Sequence, residues 1–120
     1  MRVLWIAVAG AAGAVTRYGI GRAFTARDFP WSTFAINVTG SFLLGLLLGV
    51  ATARQWPDVA TLTIGTGFLG AYTTFSTFSH ETVTLAKTDR LGLAALYVGA
   101  SVIGGLAAAG AGWVAGRSLA

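Results

Sequence analysis

Four long apolar segments, separated by short polar breaks, make up almost the whole chain. They cover residues 3–24, 31–53, 59–85 and 91–115. A helix rises about 1.5 Å per residue and the hydrocarbon core of a bilayer is about 30 Å thick, so about twenty apolar residues suffice to cross it. The pattern predicts an all-α integral membrane protein with four transmembrane helices in one membrane domain, residues 1–120.

The third segment is the weakest predicted span, because glycines and hydroxyl side chains interrupt it. Gly65, Gly67 and Gly70 lie close together, and each weakens a helix by about 1 kcal/mol relative to alanine. Hydroxyl residues then outnumber aliphatic ones over residues 73–84. At membrane depth such a segment is tolerated where it lines a cavity or is buried in protein. We therefore predict a helix broken near Gly70–Thr74 that lines a cavity; a surface loop between two spans is the alternative.

Composition excludes an ordinary soluble domain. Of the 120 residues, 55% are hydrophobic and 10% are charged, whereas soluble domains carry about 25% charged residues. The chain has no cysteine and one histidine, which excludes disulfides, thiolate metal sites and a multi-histidine cluster within one copy. The net charge is +4, but the basic residues stand singly, so contact with membrane lipid explains them better than nucleic acid does. Because apolar segments continue after residue 24, the first is predicted to be a membrane span and not a cleaved leader.

Loop charges are nearly balanced between the two sides of the membrane. Helices alternate in direction, so the basic residues divide into two groups: Arg2, Arg54 and Arg117 on one side, and Arg22, Arg27, Lys87 and Arg90 on the other. This difference gives no clear orientation under the positive-inside rule. Insertion in both orientations is therefore expected, and it permits an antiparallel homodimer that mimics the inverted repeats of transporters. The alternative is that one orientation dominates for reasons outside the count.

Two glycine pairs provide surfaces at which helices can approach closely. Gly45 and Gly49 lie in the second span, and Gly112 and Gly116 lie in the fourth, each pair four residues apart. This spacing of small residues is typical of close helix packing in membranes. The packing is either within one subunit or between two.

Polar residues on three predicted helices are candidates for a permeation path. They are Asn37 on the second helix, residues 73–79 on the third, and Tyr97 and Ser101 on the fourth. Tyr97 and Ser101 are four residues apart and share a helical face. These groups donate hydrogen bonds and none is an acid, so the lining suits a small anion that must replace its hydration shell. Four helices of one small chain fill their own interior, so the path is expected to need two copies.

Phe75 and Phe78 share one helical face, with Ser76 and Thr77 between them. An aromatic ring is negative on its face and positive around its edge, so two rings turned edge-on offer weak contacts to an anion. The helix that restarts after Gly70 adds the positive end of its dipole. The alternative is that both rings are core or lipid-facing residues at helical spacing.

Arg17 is a charge well inside the first predicted span, and such a charge is costly and functional by default. It either draws anions into a water-filled vestibule or pairs with Glu81 as a structural bridge. Glu81 is itself a candidate for a proton-coupled carboxylate, or it lies near the interface beside His80. For Glu81 we favour a structural or vestibule role.

Three motifs resemble those of the Fluc (CrcB-type) fluoride ion channel family. Residues 73–79 read Thr-Thr-Phe-Ser-Thr-Phe-Ser after Gly-Phe-Leu-Gly at 67–70, residues 37–42 read Asn-Val-Thr-Gly-Ser-Phe, and residues 13–18 read Gly-Ala-Val-Thr-Arg-Tyr. The match extends over nearly the whole chain in length, span number and motif order. The resemblance implies a dual-topology antiparallel homodimer with two pores, which exports toxic fluoride passively across the cell inner (plasma) membrane. It implies fluoride resistance and no enzymatic activity.

The resemblance also implies roles for individual residues. Phe75 and Phe78 would turn ring edges toward fluoride, and Asn37 would donate to it. Further groups would continue the fluoride pathway: Ser76, Thr77, Tyr97 and Ser101.

A structural sodium ion (Na⁺) is also implied, held at the dimer interface by the backbone carbonyls of Gly70 and Thr73 from both subunits. Arg17 would lie at the vestibule. One departure from the family pattern is Gly105, which stands where a second serine of the polar track is expected, one turn beyond Ser101.

Two other functions fit parts of the pattern. A small dual-topology, proton-coupled drug antiporter needs a membrane-embedded carboxylate in its first span, where this chain has Arg17 and no acid. A non-transporting membrane scaffold subunit would explain the glycines but not the hydroxyl-rich residues 73–79. No nucleophile–base pair or metal-ligand set indicates an enzyme.

Overall fold

The fold is all-helical from end to end, and the structure, a computed structural model, describes residues 1–120. The elements in chain order are α1 (Arg2–Ala23), α2 (Trp31–Arg54), α3 (Asp58–Leu62), the π-helix π1 (Thr63–Leu69), α4 (Gly70–Tyr72), α5 (Phe75–Lys87) and α6 (Leu91–Leu119). Three of them, α1, α2 and α6, are long and apolar enough to cross a membrane. The predicted all-α fold class is confirmed.

The third predicted span is a helix broken in two. The first half consists of α3, π1 and α4, which follow one another without a gap. Thr73 and Thr74 then adopt extended backbone conformations, and α5 begins at the next residue. The side chain of Thr74 caps α5 by accepting a hydrogen bond from the Thr77 amide at 3.2 Å. The predicted break near Gly70–Thr74 is confirmed, and it lies at the end of that range.

Glycines set the packing of α2 against α6 within one chain. A Cβ atom added at Gly45 would overlap the carbonyl of Ala109, and one added at Gly112 would overlap the carbonyl of Phe42. Gly49 and Gly116 approach the opposite helix in the same way. The two glycine pairs therefore pack helices inside one subunit, which was one of the two alternatives.

The first half of the broken helix packs against α1 by a similar device. Gly13 of α1 lies against the backbone of Phe68, and Gly67 of π1 lies against Ile6 and Ala9. A side chain at either glycine would push the two backbones apart. This close approach puts the residues that follow π1 next to the second half of α1, where Arg17 lies.

Buried side chains form two small clusters, one on each side of the break. The first contains Ile36, Leu47, Leu69 and Tyr72. The second contains Leu85, Ala94 and Tyr97, with Phe29, Phe34, Phe78 and Leu93 packed against it. Many large apolar side chains of α1 and α6 are instead exposed at the surface of the chain. Such a surface fits contact with lipid or with a second protein copy.

Candidate functional site

Asn37 of α2 satisfies the backbone at the helix break. Its Nδ2 donates to the Thr74 carbonyl at 3.0 Å, and its Oδ1 accepts from the Thr74 amide at 2.8 Å. In a continuous helix the Thr74 amide would instead bond to the Gly70 carbonyl, four residues earlier. An unsatisfied backbone group in the bilayer core costs several kcal/mol, so the pairing with Asn37 makes the break tolerable.

Arg17 of α1 points at the same break. Its Nη1 donates to the Thr73 carbonyl at 3.4 Å. The chain has one salt bridge, between Arg90 and Asp28, so the Arg17–Glu81 bridge weighed as an alternative is absent. The physical reason is distance along α5, because Glu81 lies six residues beyond its first residue, about 9 Å along the helix axis. Arg17 reaches only the beginning of that helix.

Two grooves flank the break. The break groove, about 260 Å³, is partly open at the chain surface and includes Asn37, Ser41, Gly70, Thr73 and Phe75 in its lining. The arginine groove, about 390 Å³, is also partly open and includes Arg17, Arg22, Ser32, Thr74 and Thr77. The first groove therefore has mainly small and hydroxyl side chains, whereas the second carries two positive charges.

Thr74 connects three hydroxyl groups at the start of α5. Its Oγ1 donates to Thr77 Oγ1 at 2.9 Å and lies 3.3 Å from Ser76 Oγ. The candidate lining of residues 73–79 predicted from the sequence included Thr74, Ser76 and Thr77, whereas Arg22 was not predicted as a lining residue. The N-cap role of Thr74 was not predicted, although a threonine directly before a helix is a recognisable N-cap signal.

Phe75 and Phe78 face different surroundings. Their ring centroids are 5.7 Å apart, with 47° between the planes. Phe75 is 79% exposed in the single chain, which excludes a core role for it. Phe78 instead makes an edge contact with Tyr97, with centroids 5.0 Å apart and planes at 62°. The Phe78–Tyr97 pair therefore joins α5 to α6, whereas the exposed Phe75 ring is available to lipid or to a second copy.

Tyr97 and Ser101 are the two predicted pathway hydroxyls on α6, and Tyr97 faces α5. Tyr97 is fully buried at 0% exposure, and its hydroxyl donates to Glu81 Oε1 at 3.4 Å. Ser101 Oγ is buried and has no hydrogen-bond partner. A buried hydroxyl left unpaired costs about 1–3 kcal/mol, so a ligand or water that bonded to it would be stabilised there.

Gly105, the departure from the family pattern, lies beside a hydroxyl from another helix. A Cβ atom at this position would meet Ser41 Oγ at 3.7 Å, an ordinary contact distance. Ser41 donates to the Asn37 carbonyl at 2.7 Å and lines the break groove. Ser41 was not among the predicted pathway residues, because its nearness to Gly105 depends on how α2 packs against α6.

The carbonyl oxygens of Gly70 and Thr73 fit the chemistry of a hard cation. The Gly70 carbonyl has lost its helical donor to the break, because the Thr74 amide bonds to Asn37. The Thr73 carbonyl accepts one hydrogen bond, from Arg17, and a carbonyl oxygen has a second lone pair. Both residues line the break groove. Each chain could thus offer two neutral oxygens, the ligand type that hard cations prefer.

Comparison with known proteins gives the family directly. The profile of the family described as CrcB-like protein, Camphor Resistance (CrcB), matches residues 4–113. The chain belongs to the CrcB family. The resemblance based on the motifs of residues 13–18, 37–42 and 67–79 is confirmed by this match.

Relatives of this CrcB chain match it over nearly its whole length. A protein of Acidobacterium capsulatum named fluoride-specific ion channel FluC is 47% identical over 123 residues, covering 99% of this chain and 98% of the relative. A second FluC, from Deinococcus radiodurans, is 46% identical over 120 residues, covering 97% and 95%. A protein of Geobacillus kaustophilus named FluC 2 is 45% identical over 121 residues, covering 98% and 94%. Together with the three long apolar helices, the family identifies a membrane protein.

Proposed function

We propose that this protein is a passive, fluoride-selective ion channel. The observation that carries the proposal is the identity of 45–47%, over nearly the full chain, to proteins named as fluoride-specific channels. The site supports it chemically, because the break groove and the arginine groove contain hydrogen-bond donors and no acidic side chain. A drug antiporter or a scaffold subunit has no such support, and conduction through a channel requires no enzymatic chemistry.

The proposed route begins at the arginine groove. Arg17 and Arg22 raise the local concentration of anions there, because a cleft lined by one sign of charge attracts ions of the opposite sign. Thr77 and Ser76 then replace water molecules of the hydrated ion with hydroxyl donors. The edges of Phe78 and Phe75 contact the partly dehydrated ion. Tyr97 and the unpaired hydroxyl of Ser101 extend the route along α6.

The working unit in this proposal is an antiparallel homodimer with two pores. Three features support a second copy: the 79% exposure of Phe75, the partly open break groove, and the near balance of basic residues on the two sides. A second copy laid against the break groove would complete its lining. The Phe75 ring of one copy would then contact the other copy instead of lipid.

A structural sodium ion at the dimer interface is part of the same proposal. The Gly70 and Thr73 carbonyls of both copies would hold it, and it would supply the positive charge that keeps two helix breaks together. The proposed location is the plasma (inner) membrane, where a passive channel lets fluoride leave the cytoplasm down its gradient. Fluoride resistance follows from that export.

Fluoride efflux from liposomes tests the proposal. Vesicles loaded with potassium fluoride or potassium chloride and reconstituted with this protein are followed with ion-selective electrodes after valinomycin addition. We expect fluoride to leave without any proton gradient, while chloride stays inside. Protein-free vesicles are the control.

Two results would contradict parts of the proposal. Equal efflux of fluoride and chloride would contradict the proposed fluoride selectivity. Transport that needs a proton gradient and is lost in Glu81→Gln would instead indicate the antiporter.

A further inference from the structure

The loop between α1 and α2 sends an aromatic side chain into the protein, next to Tyr97. Phe29 is half-buried and meets Tyr97 edge-to-face, with ring centroids 5.3 Å apart and planes at 79°. Phe78 of α5 also contacts Tyr97 through a ring edge. The Tyr97 ring thus has two aromatic neighbours, one from a membrane helix and one from a loop.

Phe29 is itself held by its neighbours. Its ring lies 4.5 Å from that of Trp31 and 5.8 Å from that of Phe34, and its carbonyl accepts from the Trp31 amide at 2.8 Å. The preceding residue, Asp28, forms the salt bridge with Arg90 at the start of α6. Both charged groups are exposed, and exposed ion pairs contribute little. The aromatic packing therefore fixes the position of Phe29 more than the salt bridge does.

The hydrogen bond from Tyr97 to Glu81 does not fix the Tyr97 ring on its own. Its length of 3.4 Å is beyond the 2.5–3.0 Å that is usual between two oxygens. The ring turns about two side-chain torsions, so the direction of its hydroxyl depends on the rings that pack against it. One turn further along α6, Ser101 holds a buried hydroxyl that no protein group satisfies.

We propose that Phe29 is a positioning residue for conduction, which orients the Tyr97 hydroxyl toward Glu81 and the route along α6. The inference rests on the proposed function, because it assumes that fluoride passes Tyr97. Phe29 would then be a residue outside the four spans that affects conduction through its contact with Tyr97. A ring that merely blocked the path would have the opposite effect on efflux when removed, so the direction of the change separates the two roles.

Efflux measurements on Phe29 variants test the proposal. We expect Phe29→Leu to slow fluoride efflux by about 2- to 13-fold, the range that an aromatic pair is worth. Phe29→Tyr keeps the ring and should retain the wild-type rate. Phe24→Leu is the matched control, because Phe24 lies in the same loop and forms no ring pair with Phe29, Phe78 or Tyr97. Where Phe29→Leu does not yield monodisperse protein, Phe29→Met takes its place with the same expectation.

A double-mutant cycle separates positioning from general destabilisation. In a Tyr97→Phe background the hydroxyl is gone, so Phe29→Leu should slow efflux by less than about twofold further. A loss as large as in the wild-type background would overturn the proposal, and so would wild-type or faster efflux in Phe29→Leu itself.

A measurement of ring position makes the test independent of transport. The chain contains three tyrosines, so protein labelled with 3-fluorotyrosine gives three ¹⁹F signals, and Tyr97→Phe identifies the one from Tyr97. We expect Phe29→Leu to move this signal and Phe24→Leu to leave it unchanged. An unmoved signal would overturn the proposal even if efflux falls. If wild-type protein releases no fluoride, the proposed function fails, while the ¹⁹F signal still decides whether Phe29 positions Tyr97.

Discussion

Asn37 satisfies the backbone at the helix break and keeps a donor for its proposed role in conduction. Its carboxamide oxygen and one N–H are engaged with the backbone of Thr74. The carboxamide has a second N–H, which remains available to an anion. The predicted role as a donor to fluoride is therefore compatible with the observed role as the group that satisfies the break. We therefore expect loss of the Asn37 side chain to lower the stability of the fold as well as any conduction.

Asn37→Ala tests the structural role. The substitution leaves both backbone groups of Thr74 without a partner, and each such group costs about 1–3 kcal/mol when buried. We expect a clear fall in the thermal unfolding midpoint in detergent. Thr16→Ala is the control, because the exposed Thr16 hydroxyl bonds only to the carbonyl of Ala12 in its own helix. Equal midpoints for the two variants would mean that the break is stabilised by other contacts.

Leucine substitutions at Phe75 and Phe78 test the ring edges. Each should slow fluoride efflux by at least about tenfold, the effect of losing about 1.4 kcal/mol of contact with the ion. For Phe75 the unfolding midpoint of the monomeric fold should hardly change, because the ring is exposed in the single chain. Efflux is measured with a fluoride electrode and unfolding by circular dichroism. Unchanged efflux in both variants would mean that the two rings contact only protein or lipid and not the ion.

At the scale of elements, the spans and the break could be predicted because their signals are local. A run of apolar residues, three clustered glycines and a change to hydroxyl residues all occur within one stretch of sequence. The contacts that satisfy the break are not local, because Asn37 and Arg17 belong to other helices, far from Thr73 and Thr74 in sequence. No periodicity shows which amide or guanidinium will face a given carbonyl. The division of the third span into α3, π1 and α4 was likewise not predicted.

The seam between α2 and α6 gives a prediction at this scale. Gly112→Ala places a methyl group against the carbonyl of Phe42, where no space exists. Overpacking of this kind costs about 1–3 kcal/mol, so the unfolding midpoint and the yield of monodisperse protein should fall. Gly110→Ala is the matched control two residues away, since a methyl group there meets nothing within 4 Å. Similar midpoints for the two variants would show that α2 and α6 can move apart without loss of stability.

At the scale of the whole molecule, two features of the single chain's surface bear on the proposed homodimer. The ring of Phe75 and the break groove both lie at its surface. The balanced loop charges are a property of the whole sequence and could be counted directly, whereas the exposure of Phe75 depends on the fold. Together they are the support for the proposed second copy in the opposite orientation.

Removal of sodium tests the proposed ion at the dimer interface. An ion that binds only the assembled protein stabilises it by about 2.7 kcal/mol at a hundredfold excess over its Kd. Exhaustive dialysis against N-methylglucamine buffer should therefore lower the unfolding midpoint and abolish fluoride efflux, and added sodium should restore both. Potassium at equal ionic strength is the control. Full efflux in sodium-free buffer would exclude an essential role for the ion.

The pairing of Asn37 with Thr74 has a consequence for biosynthesis. The chain emerges from the ribosome with α2 ahead of the third span, so the amide partner is present before the segment that needs it. Without α2, residues 58–87 would be most stable as one continuous helix, in which the Thr74 amide donates to the Gly70 carbonyl. We therefore expect the helix break to form only once the third span meets α2, which has already been synthesised by then.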